Sequence, residues 1–554
     1  MSDVSTTATP RSDTSVTSGR RARTTTWLVV VLVLATIGVV YARARWPGAL
    51  PLGSDNDEYQ LAGRALAAFE APLVAGVEGT KYPLGYPALL AALQWLRLPV
   101  AAAAIALNLA ALALTVGIVA RLAGRATDRL APNPGAALAA GSVVAASVAV
   151  WNDAYSVMPE LGLIVLVATM LVVLERPLTA RRLLALSVLA VAAVLLKTLA
   201  ILLVLGGCGL LWLVAGSRPE WLAAGRASPR GAGREVGPVP PARRPGPAPL
   251  RLLLPGGAAL VTVLAGMAAV RSLPEHTTGY LATFFLRDPF DASAGELGPL
   301  GLLRRTVTDV PDTFRNLGRS IALIEGGTAL ATVVALVALT LGVVAAFRLR
   351  PGAPLGVFVV GATLAYVLGM MLWPYHSSRF GLPLVPIAAL GAGWLVRVVT
   401  DPRGGEGHDG ALEQDRPAGA WASLAAGGVV TALLVASSWG DLVDHGEAAA
   451  DRLASQHAAM EQLETFSDPG FAEARLVSFD YREVAHRLDR PVQPLAYTSD
   501  TDALLEQVGD ADYVVKVDIH HVRNRQLGLL LNAEPDRFVP LLDEPSVAVY
   551  RVER

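Results

Sequence analysis

The chain has 554 residues and a formal net charge of −1, with 53% hydrophobic but only 17% charged residues. Soluble domains carry about 25% charged residues, so the composition argues against a simple soluble enzyme. The near-zero net charge argues against a broad basic surface for nucleic acid. Because Cys208 is the single cysteine, an intramolecular disulfide is excluded.

Apolar runs recur along the chain, and each is long enough, or nearly so, to cross a bilayer core of about 30 Å. The sequence therefore predicts an α-helical polytopic membrane protein with about eleven transmembrane helices. The predicted spans are residues 27–45, 99–120, 135–151, 159–175, 182–198, 199–216, 252–270, 321–347, 355–373, 380–398 and 421–439.

The orientation follows from the positions of the arginines. Arg20, Arg21 and Arg23 directly precede the first span, which predicts a cytoplasmic N-terminus with residues 1–26 as a disordered tail. A cleaved signal peptide is the competing interpretation, and it is disfavoured because no small-residue cleavage site follows the apolar run. Residues 217–251 are rich in Arg, Pro and Gly and are predicted to be a disordered cytoplasmic linker.

The end of the chain changes in character. Residues 27–439 are predicted to form the transmembrane domain, and residues 440–554 a small extracytoplasmic α/β domain, long enough for a core of its own. The tail mixes predicted helices with predicted strands. The helices are residues 448–466 and 501–508, and the strands are residues 475–479, 513–517 and 546–551.

The first outer loop begins with three closely spaced acids, Asp55, Asp57 and Glu58, before a predicted surface helix over residues 60–69. Carboxylates at a membrane surface bind a divalent cation or take a proton from an attacking hydroxyl. The alternative is a solvated acidic turn that caps the helix at its positive N-terminal end. The composition alone leaves both interpretations open.

A basic and aromatic cluster follows, Lys81-Tyr82-Pro83-Leu84-Gly85-Tyr86-Pro87. The chain has three lysines among 46 basic residues. A lysine here therefore indicates a need for a compact positive charge, as in a phosphate contact. The alternative is that the lysine arose by neutral drift and has no special role. Lys197 lies at the predicted outer end of the fifth span, where a cation is costly unless it snorkels or pairs.

Two more charged positions lie at outer span ends. Glu160 follows Met158-Pro159 at the mouth of the fourth span, where it is either functional or a first-turn acid favoured by the helix dipole. The turn Tyr375-His376-Ser377-Ser378-Arg379-Phe380 places His376 and Arg379 outside, with phosphate binding and interfacial anchoring as the alternatives. All these groups map to the outer face, which predicts a site for a phosphate-bearing lipid and a divalent ion.

The order of these motifs resembles the GT-C superfamily of integral membrane glycosyltransferases, in the branch with the lipid A aminoarabinose transferase and the protein O-mannosyltransferases. That branch carries Asp-Glu-x-x-Tyr and Lys-Pro-Pro-Leu-x-Tyr in its first outer loop. The counterparts here are Asp55 to Tyr59, with Asn56 at the Glu position, and Lys81 to Tyr86. A later acid matches Glu160, and an Arg before Leu-Pro-x-x-Pro matches Arg379. The resemblance covers residues 27–400.

The resemblance implies a transferase that moves a sugar from a polyprenyl-phosphate donor to an extracytoplasmic glycan, lipid or protein acceptor, with inversion at the anomeric centre. It implies Asp55 as base or metal-linked acid, with Asp57 or Glu58 as substitutes for the acid that Asn56 replaces. Glu160 would complete a catalytic or Mg²⁺/Mn²⁺ site with Asp55, and Tyr59 and Tyr82 would line the sugar pocket.

The remaining implied substrate contacts are cationic: Lys81, Lys197 and Arg379 would hold the donor phosphate, beside His376. No nucleotide and no nucleic acid are expected, because the polyprenyl-phosphate sugar carries its own activation and the chain has no Gly-x-x-x-x-Gly-Lys-Ser/Thr loop. Membrane lipids are the expected surroundings, and the terminal domain is expected to select the acceptor.

Two rival functions come from other classes. A transporter or flippase predicts broken helices near the bilayer midplane and an internal repeat. A non-catalytic envelope scaffold with an extracytoplasmic binding domain would keep the fold without needing Asp55 or Lys81.

Overall fold

A computed structural model describes most of the chain, and the fold and site below refer to the described residues. These are residues 14–46, 53–74, 78–79, 82–125, 132–215, 249–271, 285–288, 291–322, 328–349, 353–373, 375, 377–400, 417–495, 498–517 and 524–553.

The first half of the chain is a succession of helices with one short hairpin. Its elements are α1 (Thr14–Arg45), α2 (Ser54–Ala67), β1 (Leu73–Val74), β2 (Glu78–Gly79), α3 (Gly85–Trp95), α4 (Val100–Gly124), α5 (Pro134–Ala145), α6 (Val148–Ala154), α7 (Glu160–Leu174), α8 (Ala180–Leu196), α9 (Ala200–Ala215) and, after the short 3₁₀ helix Pro249–Leu253, α10 (Leu254–Arg271).

The second half ends in a mixed domain. Its elements are β3 (Leu286–Asp288), β4 (Asp291–Glu296), α11 (Pro299–Thr308), α12 (Val310–Ala322), α13 (Thr328–Leu349), α14 (Leu355–Leu372), a 3₁₀ helix (Ser378–Leu384), α15 (Val385–Thr400), α16 (Pro417–Thr465), β5 (Leu476–Ser478), α17 (Tyr481–Leu488), β6 (Gln493–Pro494), α18 (Thr501–Val508), β7 (Tyr513–Val517), α19 (Asn524–Ala533), β8 (Phe538–Asp543) and β9 (Val547–Val552), with 3₁₀ turns at Phe471–Glu473 and Pro535–Arg537.

The protein is a multi-pass membrane protein, as its sequence predicts. Among the described residues, seven helices are long and apolar enough to cross a membrane, and the bent pair of α5 and α6 makes eight. Two further apolar helices, α7 and α9, have 15 and 16 residues. Each of the eleven predicted spans overlaps a helix, and the number eleven stays a prediction.

Several predicted boundaries differ from the structure. Helix α1 begins at Thr14, so residues 14–26 are helical rather than a disordered tail. The span expected to begin at residue 321 is preceded by the separate helix α12, because Asp312, Arg315 and Arg319 make that helix amphipathic. Most of the predicted linker at 217–251 lies outside the described residues, and its last residues begin a 3₁₀ helix.

The bend between α5 and α6 comes from Ser147. Its backbone is extended (φ −76°, ψ 111°), and its side chain accepts a hydrogen bond from the Val150 amide, so it caps a new helix. The same hydroxyl donates to the Ser320 carbonyl at 2.7 Å, which fixes the break against α12. The two helices differ in direction by 55°. Asp153, near the end of α6, thereby lies close to Asn108 of α4 and to Glu160 at the start of α7.

The terminal domain has the predicted α/β character. Its five-stranded sheet has the order β6-β5-β7-β9-β8, with β6, β5 and β7 parallel and β9 antiparallel to both β7 and β8. Apolar cores lie on both faces of the sheet: one is covered by the end of α16 and by α17, the other by α18 and α19. The predicted strand over residues 513–517 and helix over residues 501–508 are confirmed at these bounds.

A single helix joins the last span to this domain. The sequence predicts a span and then a separate helix over residues 448–466, whereas α16 runs unbroken for 49 residues, about 74 Å at 1.5 Å per residue. The domain also packs on the segment that follows α2, since Val74 of β1, which is 1% exposed, belongs to the core that α16 and α17 cover. The domain is therefore connected to the rest of the chain at two places, through α16 and through β1.

Candidate active site

The first turn of α2 carries the central carboxylate. Helix α2 begins at Ser54 rather than at residue 60, so Asp55 lies in its first turn, where the helix dipole favours a negative charge. The Tyr82 hydroxyl donates a hydrogen bond to Asp55 Oδ1. Arg379 Nη1 lies 2.6 Å from Asp55 Oδ2. The structure thus brings together three predicted site residues from three separate segments.

A second ion pair lies close by and is more deeply buried. Lys197 Nζ donates to Glu160 Oε1, and the two residues are 7% and 1% exposed. Lys197 caps the C-terminal end of α8 with an extended backbone, and Glu160 is the first residue of α7. A buried charge pair of this kind is costly to desolvate, so it indicates a functional requirement at least as much as a stabilising one.

The ring of Phe380 joins the two ion pairs into one cluster. Lys197 Nζ lies 4.9 Å from the ring centroid, and the Arg379 guanidinium carbon lies 5.2 Å from it. Both cations therefore contact one aromatic ring, which attracts positive charge through its electron-rich face. The cluster presents two acids and two cations within one small region.

A third acid belongs to this cluster and was missed from the sequence. The Asp153 carboxyl, near the end of α6, has Glu160, Arg379, Lys197 and Asp55 as its electrostatic neighbours. Its Oδ2 atom is buried without a hydrogen-bond partner among the described residues. A carboxylate at the end of the apolar run Val148-Ala149-Val150-Trp151 was the signal that would have found it, since such acids mark functional sites by default.

Asn56, which stands where the resemblance implies an acid, makes a neutral hydrogen bond. Its Oδ1 accepts a hydrogen bond from the Val157 amide at 2.8 Å. From the other side, Asn108 Nδ2 donates to the Ser156 carbonyl at 2.8 Å. Asn56 therefore ties α2 to the turn that leads into Glu160, a structural contact that needs no charge.

The tyrosines form a packed group behind Asp55. Tyr59 stacks on Tyr82 with ring centroids 4.6 Å apart and meets Tyr86 edge-on at 5.1 Å. Tyr59 is 3% exposed, so its ring supports Tyr82 and does not face an open pocket. Burial, and then the Glu160 carboxylate, raise the pKa of Tyr86, which therefore stays a neutral phenol.

The turn before Phe380 adds further aromatic groups. Burial, followed by the Asp55 charge, raises the pKa of Tyr375, so a neutral phenol lies within electrostatic reach of the central carboxylate. The Trp373 ring lies 5.9 Å from Tyr375 and 6.3 Å from Phe380 between centroids. The cations thus lie beside a largely aromatic wall.

Asp57 and Glu58 do not join the cluster. Asp57 Oδ1 lies 2.6 Å from His486 Nδ1, and Glu58 Oε2 lies 3.1 Å from Arg482 Nε, both on α17. At about 100° per residue, Asp57 points some 200° away from Asp55 around the helix. The structure therefore assigns both acids to contact with the terminal domain, and the catalytic role predicted for Asp57 has no geometric support.

Two predicted substrate contacts, Lys81 and His376, lie outside the described residues. The predicted metal site of Asp55 and Glu160 does not fit the donor set that is seen. Both Asp55 oxygens and one Glu160 oxygen are engaged by Tyr82, Arg379 and Lys197. Among the described residues, no three His, Cys, Asp or Glu side chains form a cluster that could hold a metal ion.

The chain matches no protein-family model and has no significant match among curated proteins. It does resemble solved membrane-protein structures. ArnT from Cupriavidus metallidurans in the apo state superposes with a TM-score of 0.55 at 13% identity, over 95% of this chain and 98% of that one. The same protein bound to undecaprenyl phosphate gives 0.53 at 13% identity, over 94% and 97%.

A third structure extends the likeness. The Archaeoglobus fulgidus oligosaccharyltransferase tethered to an acceptor peptide gives a TM-score of 0.51 at 13% identity, over 95% of this chain and 74% of that one. These proteins are GT-C membrane glycosyltransferases. The chain therefore has the GT-C fold, as the motif order in its sequence predicts, with a small α/β domain at its C-terminus.

Proposed function

We propose that this GT-C chain is an inverting glycosyltransferase that moves a sugar from a polyprenyl-phosphate donor to an extracytoplasmic acceptor. The observation that carries the proposal is the cluster around Phe380, in which Asp55 and Glu160 are each paired with a cation, Arg379 and Lys197. A base beside two phosphate-binding cations is what sugar transfer from a lipid phosphate requires.

Asp55 is the base in this proposal. Its carboxylate takes the proton of the acceptor hydroxyl, whose oxygen forms a bond to the anomeric carbon. The bond between that carbon and the phosphate oxygen breaks, and its electron pair leaves with the lipid phosphate. Because attack and departure take place on opposite sides of the anomeric carbon, the configuration inverts.

Arg379 and Lys197 stabilise the departing phosphate. Arg379 is the more accessible cation, with 31% of its side chain exposed, and its planar guanidinium matches phosphate oxygens. Lys197 is a buried point charge held by Glu160. Fixed cations of this kind need little rearrangement as negative charge develops on the leaving group.

A panel of donors tests the proposal. Purified wild-type protein is incubated with polyprenyl-phosphate hexoses and pentoses and with a mixture of glycan, lipid and peptide acceptors, and release of free polyprenyl phosphate is measured. Turnover is expected with at least one lipid-linked sugar. Nucleotide sugars are the matched control donors and are expected to give none.

The rival functions give different results in the same assay. A flippase would move a fluorescent polyprenyl-phosphate sugar between vesicle leaflets without cleaving the sugar bond. A scaffold would do neither. Movement without cleavage, or inactivity with every lipid-linked donor, would contradict the proposed transferase.

We also propose that the N-terminus is cytoplasmic and that the terminal domain is extracytoplasmic. A cysteine introduced at Asp510, whose side chain is 82% exposed, is then expected to react with a membrane-impermeant maleimide in intact cells. A cysteine at the exposed Arg348, on the predicted inner face, is the control and should react only after lysis. The native Cys208 is 2% exposed and stays unlabelled. The reverse labelling pattern would refute this topology.

A further inference from the structure

The first turn of α2 is held from two opposite sides. On the membrane side, Asp55 contacts Arg379 and Tyr82, and Asn56 contacts the Val157 amide. On the other side, Asp57 and Glu58 contact α17 of the terminal domain. The four consecutive residues from 55 to 58 thus link the charged cluster of the membrane domain directly to the terminal domain.

Asp57 performs two tasks at once. Its Oδ2 accepts a hydrogen bond from the Gly53 amide at 3.1 Å, which satisfies an otherwise unpaired N–H group at the start of the helix. Its Oδ1 lies 2.6 Å from His486 Nδ1. Asp57 is 0% exposed, so an unpartnered charge at this position would be costly. The contact with His486 is therefore a buried contact that holds the start of α2 in place, rather than a solvent-exposed ion pair.

The donor and acceptor roles of the two His486 ring nitrogens follow from their neighbours. Arg64 Nη2 lies 3.0 Å from His486 Nε2, and a guanidinium only donates hydrogen bonds. Nε2 is therefore the acceptor, and Nδ1 carries the proton that is donated to Asp57. One imidazole thus connects Asp57 and Arg64, two residues of α2 that lie two turns apart.

A second contact reinforces the first. Arg482 Nε lies 3.1 Å from Glu58 Oε2, and the side chains are 14% and 1% exposed. The Arg482 guanidinium also lies over the Tyr481 ring, 4.8 Å from its centroid. Tyr481 belongs to the core that α16 and α17 cover, so the charge that holds Glu58 is anchored to a packed face of the domain.

The terminal domain is a rigid support for these contacts. Its core includes Val74 from the first outer loop and the last turns of α16. Because α16 continues without a break from the last span, the position of α17 relative to the membrane is set by a rigid helix and not by a flexible linker. A displacement of α17 would therefore be transmitted to the first turn of α2.

We propose that His486 and Arg482 are positioning residues: through Asp57 and Glu58 they hold the first turn of α2 so that Asp55 stays in register with Arg379. The terminal domain is then part of the machinery that sets the geometry of the site. The contacts alone support the inference that the terminal domain holds α2. The expected effect on catalysis also rests on the proposed function. A misplacement of about 1 Å at a reacting group costs up to about a hundredfold in rate.

The test compares three variants of the full-length protein in detergent. His486→Leu removes both polar contacts, while His486→Gln offers an amide N–H for Asp57 and a carbonyl for Arg64. Arg487→Leu is the matched control, because Arg487 lies on the same helix but pairs with Glu464, 2.6 Å away on α16. Hydrogen exchange of the amides of residues 57–60 is measured first, and then kcat and the donor KM.

His486→Leu is expected to speed exchange of these amides at least tenfold and to lower kcat by about ten- to a hundredfold, with the donor KM changed less than twofold. His486→Gln is expected to restore both properties, and Arg487→Leu to match the wild type. Unchanged exchange in His486→Leu would overturn the proposal, as would faster exchange with wild-type kcat. If the wild type turns over no donor, the proposed function fails, and exchange alone decides whether the domain holds α2.

Discussion

Asp55→Asn is expected to lower kcat by about 10²- to 10⁴-fold, the range that a positioned general base contributes. The amide oxygen can still accept the hydrogen bond from Tyr82, so the side chain keeps its place. It cannot take a proton from the acceptor, and it no longer neutralises Arg379. Binding of undecaprenyl phosphate is therefore expected to persist in this variant, since the cation becomes more available to the phosphate.

The measurement is initial-rate kinetics with the best lipid-linked donor, together with titration of undecaprenyl phosphate. Glu70→Gln is the matched control, because Glu70 is an exposed acid three residues beyond the end of the same helix. It should keep wild-type kcat. An Asp55→Asn protein that retains more than a tenth of the wild-type rate would remove Asp55 from the role of base.

Lys197→Met is expected to destabilise the protein by about 3–5 kcal/mol, because it leaves the Glu160 carboxylate buried and uncompensated. Combining it with Glu160→Gln removes both charges and should recover most of that stability. Turnover is expected to fall by about 10²- to 10³-fold in the single and the double variant alike, since neither can stabilise the leaving phosphate. Thermal unfolding in detergent and turnover are measured side by side.

A second ion pair, in which the carboxylate is buried, serves as the control for this experiment. Arg125 Nη1 lies 2.6 Å from Glu175 Oε2, and Glu175 caps the opposite end of α7, about 22 Å from Glu160 along the helix. Arg125→Met should lower stability while the folded fraction keeps its kcat. A Lys197→Met/Glu160→Gln protein that turned over at the wild-type rate would show that this pair is purely structural.

The charged residues of the cluster could be selected from the sequence because each one breaks a local rule. Glu160 and Lys197 lie at the ends of apolar helices, where an ionisable group is costly, and Arg379 lies on the predicted outer side, where arginine is rare. These costs depend only on neighbours along the chain. The partners did not follow from the sequence, since Asp55 pairs with Arg379, 324 positions away.

The direction of a side chain was harder to predict than its importance. Asp55, Asp57 and Glu58 form one acidic group in the sequence, and a turn or loop would have allowed all three to face the site. Because the helix begins at Ser54, each residue is rotated by about 100° from the last, and the three acids separate onto different partners. Asp153 was missed for a related reason: the break at Ser147 moves it from a predicted loop into the cluster.

The sequence by itself determined the class of the protein, because long apolar runs require helices that satisfy their own backbone in a bilayer. The motif order resembles the GT-C superfamily and so predicted the fold that the structure has. It also determined most of the described charged residues of the cluster, because burial makes an ionisable side chain conspicuous. Only the tertiary structure decided which acid faces which cation, that Asn56 binds the turn before Glu160, and that the terminal domain contacts α2. Those outcomes depend on where helices begin, on the bend at Ser147 and on the unbroken α16. At each of these points a small change in backbone geometry changes the direction of side chains whose partners lie hundreds of residues away in the sequence.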